Sequence, residues 1–121
     1  MRPAASAPVD ARAKVWLDRD GRVVLSEWRI QLLEAVRDTG SLAAAAHRLG
    51  VPYRTAWYKL HEIETELGVR LVVSRSGGAE GGGSSLTTEA EDVIRRFHRV
   101  SGGLSQLVRK RFRAAFPELK G

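Results

Sequence analysis

The stretch from Ser41 to Gly68, SLAAAAHRLGVPYRTAWYKLHEIETELG, restricts what this chain can fold into more than any other part of it. It reads as two short helices joined by a tight turn. Ser41 is placed to cap the first helix, its side-chain oxygen accepting from a backbone N–H that the first turn leaves free. Leu42 and the alanines at 43–46 combine high helix propensity with small side chains, so another helix can approach closely. Gly50 suits the left-handed position that ends a helix, and Pro52 suits the first residue of the next. In that second helix Ala56, Leu60, Ile63 and Leu67 recur at helical spacing and define one buried face. Pro52, Tyr53, Arg54, Thr55, Tyr58 and Lys59 lie at its N-terminal end or off that face. A small helix turning onto a helix with a polar, basic N-terminal end is the helix-turn-helix pattern.

The flanks extend this unit. Residues 1–12 are rich in Ala, Pro and Ser without periodicity and are expected to be a disordered lead-in. Two apolar runs, Val15 to Leu17 and Val23 to Leu25, enclose Asp20-Gly21 and predict a β-hairpin. Ser26 then caps a helix to about Thr39, with Trp28, Leu32, Leu33 and Val36 inward. After Gly68, the residues Val69, Leu71 and Val73 alternate with Arg70 and Val72 and read as a strand. SRSGGAEGGGSS follows as a loop, because its glycines order only at an entropic cost, and Ser85-Leu86 returns as a short strand. Strand, glycine-rich loop and strand make a wing. Thr88 and Glu91 have capping-box spacing and mark the start of a last helix.

That last helix carries Val93, Ile94, Phe97, Val100, Leu104 and Leu107, a coiled-coil-like seam expected to pair with the same helix of a second chain. Gly102-Gly103 interrupts it, each glycine costing about 1 kcal/mol in a helix interior, and is a point where the helix can kink or divide. The expected organisation is a tail over 1–12, a winged helix-turn-helix with an N-terminal hairpin over 13–88, a long dimerisation helix over 89–116 and a tail over 117–121. The fold class is mostly α with small β.

The totals bound the partners. A formal charge of +6 and a pI near 10.5 favour an anionic partner, nucleic acid or an acidic surface, although solvated surface charge gives the same totals. Without cysteine there is no disulfide framework and no thiolate chemistry. No apolar run approaches the ~20 residues a membrane span needs, and MRPAASAPVDARAK lacks the apolar core of a secretory signal, so a cytoplasmic location is expected.

With hairpin, helix-turn-helix and wing laid out, residues 14–100 resemble the DNA-binding domain of ModE-type molybdate-responsive regulators, and more distantly the N-terminal domain of LysR-type regulators. The resemblance rests on Tyr53-x-x-Ala56-Trp57, the SGGAEGGGSS wing and the Leu86-Thr87 step into the next helix. It implies a dimeric transcription regulator with a winged helix on each subunit. It does not reach the C-terminal modules with which ModE proteins bind molybdate or tungstate, so oxyanion sensing is not carried over. No small-molecule effector is expected within this chain.

Duplex DNA has closely spaced phosphates and a major groove that admits one helix. The positive end of the second helix, with Pro52 to Thr55, is expected to face that groove, with Ser41 at the start of the preceding helix. Arg54 is the candidate for a guanine edge or a phosphate, and a bidentate base contact gives about 1–3 kcal/mol of discrimination. Tyr53 and Tyr58 either reach phosphates and thymine methyls or serve in packing; Lys59 meets phosphate. Arg75 and Ser76 either contact the backbone through the wing or stay solvated, and Trp57 is expected to pack beside the Ala56–Leu60 face. Glu62, Glu64 and Glu66 gather acid at the far end of the helix.

The wing glycines form neither a P-loop nor a dinucleotide-binding turn. His47, His61 and His98 are far apart, with no cysteine to join them, so neither a metal site nor a cofactor is expected, and no catalytic triad stands out. The leading expectation is a homodimeric, sequence-specific regulator bound to double-stranded DNA. A non-selective architectural binder and a winged-helix protein-interaction module are the alternatives.

Overall fold

Asp20 and Gly21, both at positive φ (53° and 82°), form the two-residue turn that matches the twist of a hairpin. They join β1 (Trp16–Arg19) to β2 (Arg22–Ser26), which pair antiparallel with Leu17 opposite Leu25. The computed structural model describes residues 7–78 and 81–119, with the side chains of 76–78, 81 and 82 left aside. The lead-in expected over 1–12 therefore lies partly outside the described residues, as does the end of the tail at 120–121.

Ser26 ends β2 and caps α1 (Glu27–Thr39), accepting from the Arg29 N–H at 3.2 Å. Ser41 caps α2 (Leu42–Leu49) in the same way, accepting from Ala44 N–H at 3.0 Å. Gly50, at φ 70°, closes α2 and leads into α3 (Tyr53–Leu67). Pro52 is the N-cap of α3, with extended ψ of 150°, and not its first helical residue as the sequence suggested. Its carbonyl still accepts the Ala56 N–H at 3.3 Å, so the two readings differ by one position.

Ile30, Leu32, Leu33 and Val36 of α1 pack with Ala45 and Ala46 of α2 and with Ala56, Leu60 and Ile63 of α3. Burial of a side chain such as Leu33 or Ile63 contributes about 1.5–3 kcal/mol. Ala45 and Ala46 have no bulk to hold the helices apart, which is how so short a helix as α2 sits closely on both neighbours.

The wing is β3 (Val72–Gly78) paired with β4 (Gly81–Leu86), running from Val72 opposite Leu86 to Gly78 opposite Gly81. Pairing thus reaches well into the stretch that reads as a loop, because two facing strands satisfy backbone groups that an isolated glycine run leaves to water. Gly40 anchors the wing, its carbonyl accepting both Ser84 N–H at 2.7 Å and Arg75 Nη2 at 3.1 Å. Gly83 permits this approach: a Cβ there would lie 2.5 Å from Arg75 Nη2 and 2.8 Å from the Gly40 carbonyl oxygen.

α4 (Thr88–Ser101) is capped by Thr87 and not by Thr88. Thr87 Oγ1 accepts from Ala90 N–H at 3.1 Å and donates to the Arg70 carbonyl at 2.8 Å. Glu91, the expected reciprocal partner of a capping box, instead pairs with Arg37 of α1 at 3.1 Å. Ala90, Ile94 and Phe97 enter the same core. The helical segment then divides at Gly102–Gly103, where Gly103 takes φ 81°, and resumes as α5 (Leu104–Ala115). Two compact units result. One is Trp16–Arg99, the winged helix with its hairpin; the other joins the described residues 7–15 to 100–119.

Thr87→Ala removes the α4 cap and is expected to cost about 1 kcal/mol, while Thr88→Ala stays within about 0.5 kcal/mol of wild type. Urea denaturation of both variants reads the difference, and a larger loss at Thr88 contradicts the assignment.

Candidate nucleic-acid interface

Arg54, Trp57, Tyr58 and His61 follow the i, i+3, i+4, i+7 rule and form the side of α3 opposite Ala56, Leu60 and Ile63. Tyr53 is 53% exposed, Trp57 40% and Tyr58 56%, and Arg54 is exposed with no ion-pair partner among the described residues. These aromatics are outside the core. Trp57 differs from the packing residue the sequence suggested: its ring stacks on His61 at a centroid distance of 3.7 Å and meets Tyr58 edge-on at 5.3 Å. His61 Nδ1 lies 2.8 Å from the Trp57 carbonyl oxygen, which holds the imidazole against the indole. The signal for Trp57 was its position three residues after Arg54 and one before Tyr58, on the uncommitted side of the helix.

Each acid of α3 pairs with another element, although the Glu62 side chain stays 54% exposed. Glu62 accepts from Arg29 Nη2 at 2.9 Å, and Lys59 Nζ lies 3.7 Å from the same oxygen. Arg29 is the buried charged residue of α1, so Glu62 is its counter-charge. Glu64 accepts the backbone N–H groups of Leu71 at 2.8 Å and Val72 at 3.3 Å, at the root of the wing. Glu66 accepts from Arg19 at 2.6 Å and Arg22 at 3.0 Å, both on the hairpin. The hydrogen bond from Arg22 is the main cause that holds the Glu66 carboxyl below its ordinary range; desolvation opposes it, and the charges of Arg22 and Arg19 add to it.

Two depressions flank α3. One, of about 460 Å³, separates it from the wing and is lined by Tyr53, Trp57, Arg70, Ser74 and Ser84 among others. The other, of about 510 Å³, lies beside the hairpin and includes Arg22, Arg29, Tyr58 and Lys59.

The other sequence-predicted residues fall as follows. Pro52 is exposed and Thr55 half-buried at the start of α3, while the Ser41 hydroxyl is engaged in capping α2. Arg75 is exposed but donates to the Gly40 carbonyl, so it holds the wing in place whatever else it touches. The Ser76 side chain lies outside the described residues. Of the expected seam, Ile94 and Phe97 are 5% and 2% exposed and are committed to the core of their own winged helix, with Val93 half-buried against it. Val100 and Leu107 are exposed and Leu104 half-buried. Among the described residues no group of three His, Asp or Glu is placed to hold a metal ion, and no helix is long and apolar enough to cross a membrane.

A short helix turning onto a helix with a basic and aromatic tip, beside a wing, is the winged helix-turn-helix arrangement of DNA-binding regulatory domains. The family description "Bacterial regulatory helix-turn-helix protein, lysR family" matches residues 28–91, more than half of the chain, and the chain belongs to that family. The molybdenum-pterin-binding protein MopB of Rhodobacter capsulatus is 34% identical over 94 residues, covering 78% of this chain and 34% of MopB. The molybdenum transport protein ModE of Azotobacter vinelandii is 34% identical over 88 residues, 73% of this chain and 33% of that one. The chain thus spans about a third of the length of these relatives and resembles their ModE-type DNA-binding domain. Among solved structures, the DNA-binding domain of CbnR in complex with DNA superposes with a TM-score of 0.54 at 27% identity, covering 73% of this chain and 94% of that one. The BenM DNA-binding domain, also in a DNA complex, shares the fold at a TM-score of 0.53 and 20% identity, over 73% of this chain and 93% of its own.

Because the Glu66 carboxyl is held below its ordinary range, its ion pairs stabilise the fold fully above the unfolded Glu pKa of about 4.3. That contribution is lost as pH falls through the folded value. The stability difference between wild type and Glu66→Gln is therefore expected to be largest near neutral pH and to close on acidification, and it is modest because both arginines are exposed. Denaturation at pH 7 and pH 3 tests this; a difference independent of pH rejects the role given to the pair.

Proposed function

We propose that this chain binds duplex DNA in a sequence-specific manner as a homodimer and regulates transcription from the bound site. The observation that carries the reading is the division of α3: Glu62, Glu64 and Glu66 are tied back into the fold, while Arg54, Trp57, Tyr58 and His61 stand on its free side. Unpaired carboxylates would repel phosphates, and pairing with Arg29, Arg19 and Arg22 offsets part of that repulsion along the C-terminal half of the helix, behind the end that would enter the groove.

Arg54 is assigned to a guanine edge or phosphate, Tyr53 and Tyr58 to phosphates or thymine methyls, and Lys59 to phosphate once it leaves Glu62. Ser41, Pro52 and Thr55 complete the helix-turn-helix surface, with Arg75 and Ser76 at the wing. Val100 and Leu107 are the apolar positions of the seam still open to a second copy, with Val93 and Leu104 half-open. Such a dimer would set its two recognition helices one DNA turn, about 34 Å, apart or at a larger spacing, over a pseudo-palindrome.

Selection of bound fragments from random and genomic duplexes, at fixed salt, is expected to enrich one such motif. Arg54→Ala is expected to lower affinity for that motif by about five- to 150-fold, corresponding to about 1–3 kcal/mol, with unchanged thermal unfolding. Enrichment of no motif favours a non-selective binder, and operator affinity unaffected by Arg54→Ala removes the role assigned to that side chain.

A further inference from the structure

α5 carries Arg109, Lys110, Arg111 and Arg113 and no acidic residue. Helical spacing sets Arg109 and Arg113 one turn apart with Lys110 beside them, and puts Leu104, Val108 and Phe112 on the opposite side. The apolar stripe is half-buried within the chain, whereas Lys110 and Arg113 are exposed and have no acidic partner among the described residues. Among the described residues Arg109 is the engaged one. Its Nε and Nη2 meet the two oxygens of Asp10 at 2.8 and 3.4 Å. A guanidinium fork grips a phosphate with the same two-pronged geometry.

We propose that the Arg109–Lys110–Arg113 side of α5 is a second, sequence-independent contact for DNA phosphates, and that Asp10 occupies the Arg109 fork until a phosphate displaces it. This goes beyond the reading of α3, since it concerns a different unit of the chain and adds affinity without sequence preference. DNA is the occupant that fits. An anionic bilayer would be held by charge alone, because the apolar stripe of Leu104, Val108 and Phe112 that could anchor α5 in it is already partly covered, whereas a duplex is the polyanion the α3 reading brings to this chain.

The test measures binding to a motif-bearing duplex and to a random duplex by fluorescence anisotropy between about 50 and 200 mM salt. Each phosphate contact contributes about 0.9 to the slope of log affinity against log salt. Arg109→Gln/Lys110→Gln/Arg113→Gln is expected to flatten the slope by about two to three on both duplexes and to weaken both equally. Asp10→Asn moves the other way, with tighter binding and a slope steeper by up to about one. Slopes unchanged in both variants overturn the proposal. So does loss of binding to phosphatidylserine vesicles in the triple variant with its DNA slope intact. Circular dichroism reports whether the triple variant folds, and if it does not, Asp10→Asn decides alone. Failure of the α3 reading is distinguishable: wild type then shows no motif preference, while the slope changes persist on random duplex.

Discussion

Glu62, Glu64 and Glu66 sit two residues apart on α3, and each fastens the helix to a different part of the fold. Glu62 reaches Arg29 of α1, Glu64 the backbone at the root of the wing, and Glu66 the hairpin arginines. Glu62 and Glu66, four residues apart, share one side of the helix, and Glu64 between them lies on the other, so the attachments flank the apolar face. The apolar face made by Ala56, Leu60 and Ile63 holds α3 against α1 and α2 but is non-directional. Hydrogen-bonded ties on either side limit its roll. What they leave free is the N-terminal half.

This arrangement joins stability to recognition through one set of charges. The side chains that secure the C-terminal half of α3 are those that would otherwise repel a polyanion. Arg29 shows the coupling in its sharpest form: it is buried, its charge is answered by Glu62, and Glu62 in turn lies near Lys59. The wing is held by similar economy. Gly40 ends α1, and its carbonyl then accepts both Ser84 and Arg75, so the turn between the first two helices also sets where the wing stands. Gly83 makes room for that contact by having no side chain.

Much of this was legible in residue order. Ser26 and Ser41 announce their helices because a hydroxyl immediately before a helix-forming run has one favourable use. Asp20-Gly21 announces its turn for the same kind of local reason. The misplacements arise where two neighbours offer the same chemistry. Thr87 and Thr88 can each cap α4, and the choice falls to Thr87 because its hydroxyl also reaches the Arg70 carbonyl across the wing root. Trp57 suits a core, yet the Ala56–Leu60–Ile63 face is already filled, and the indole finds His61 instead. The spacing puts Ile94 and Phe97 in one seam with Val100, Leu104 and Leu107, but Ile94 and Phe97 close the winged helix of their own chain.

The sequence alone determined the order of elements, the caps of α1 and α2 at Ser26 and Ser41, the polarity of α3 and the family, since each depends on residues within a few positions of one another or on their order. Tertiary structure decided which partner each charged or aromatic side chain took, which threonine caps α4 and how far the wing pairs into its glycines. Those outcomes turn on contacts between residues far apart in the chain, such as Arg19 with Glu66 or Arg75 with Gly40, and local spacing carries no record of what lies across a fold.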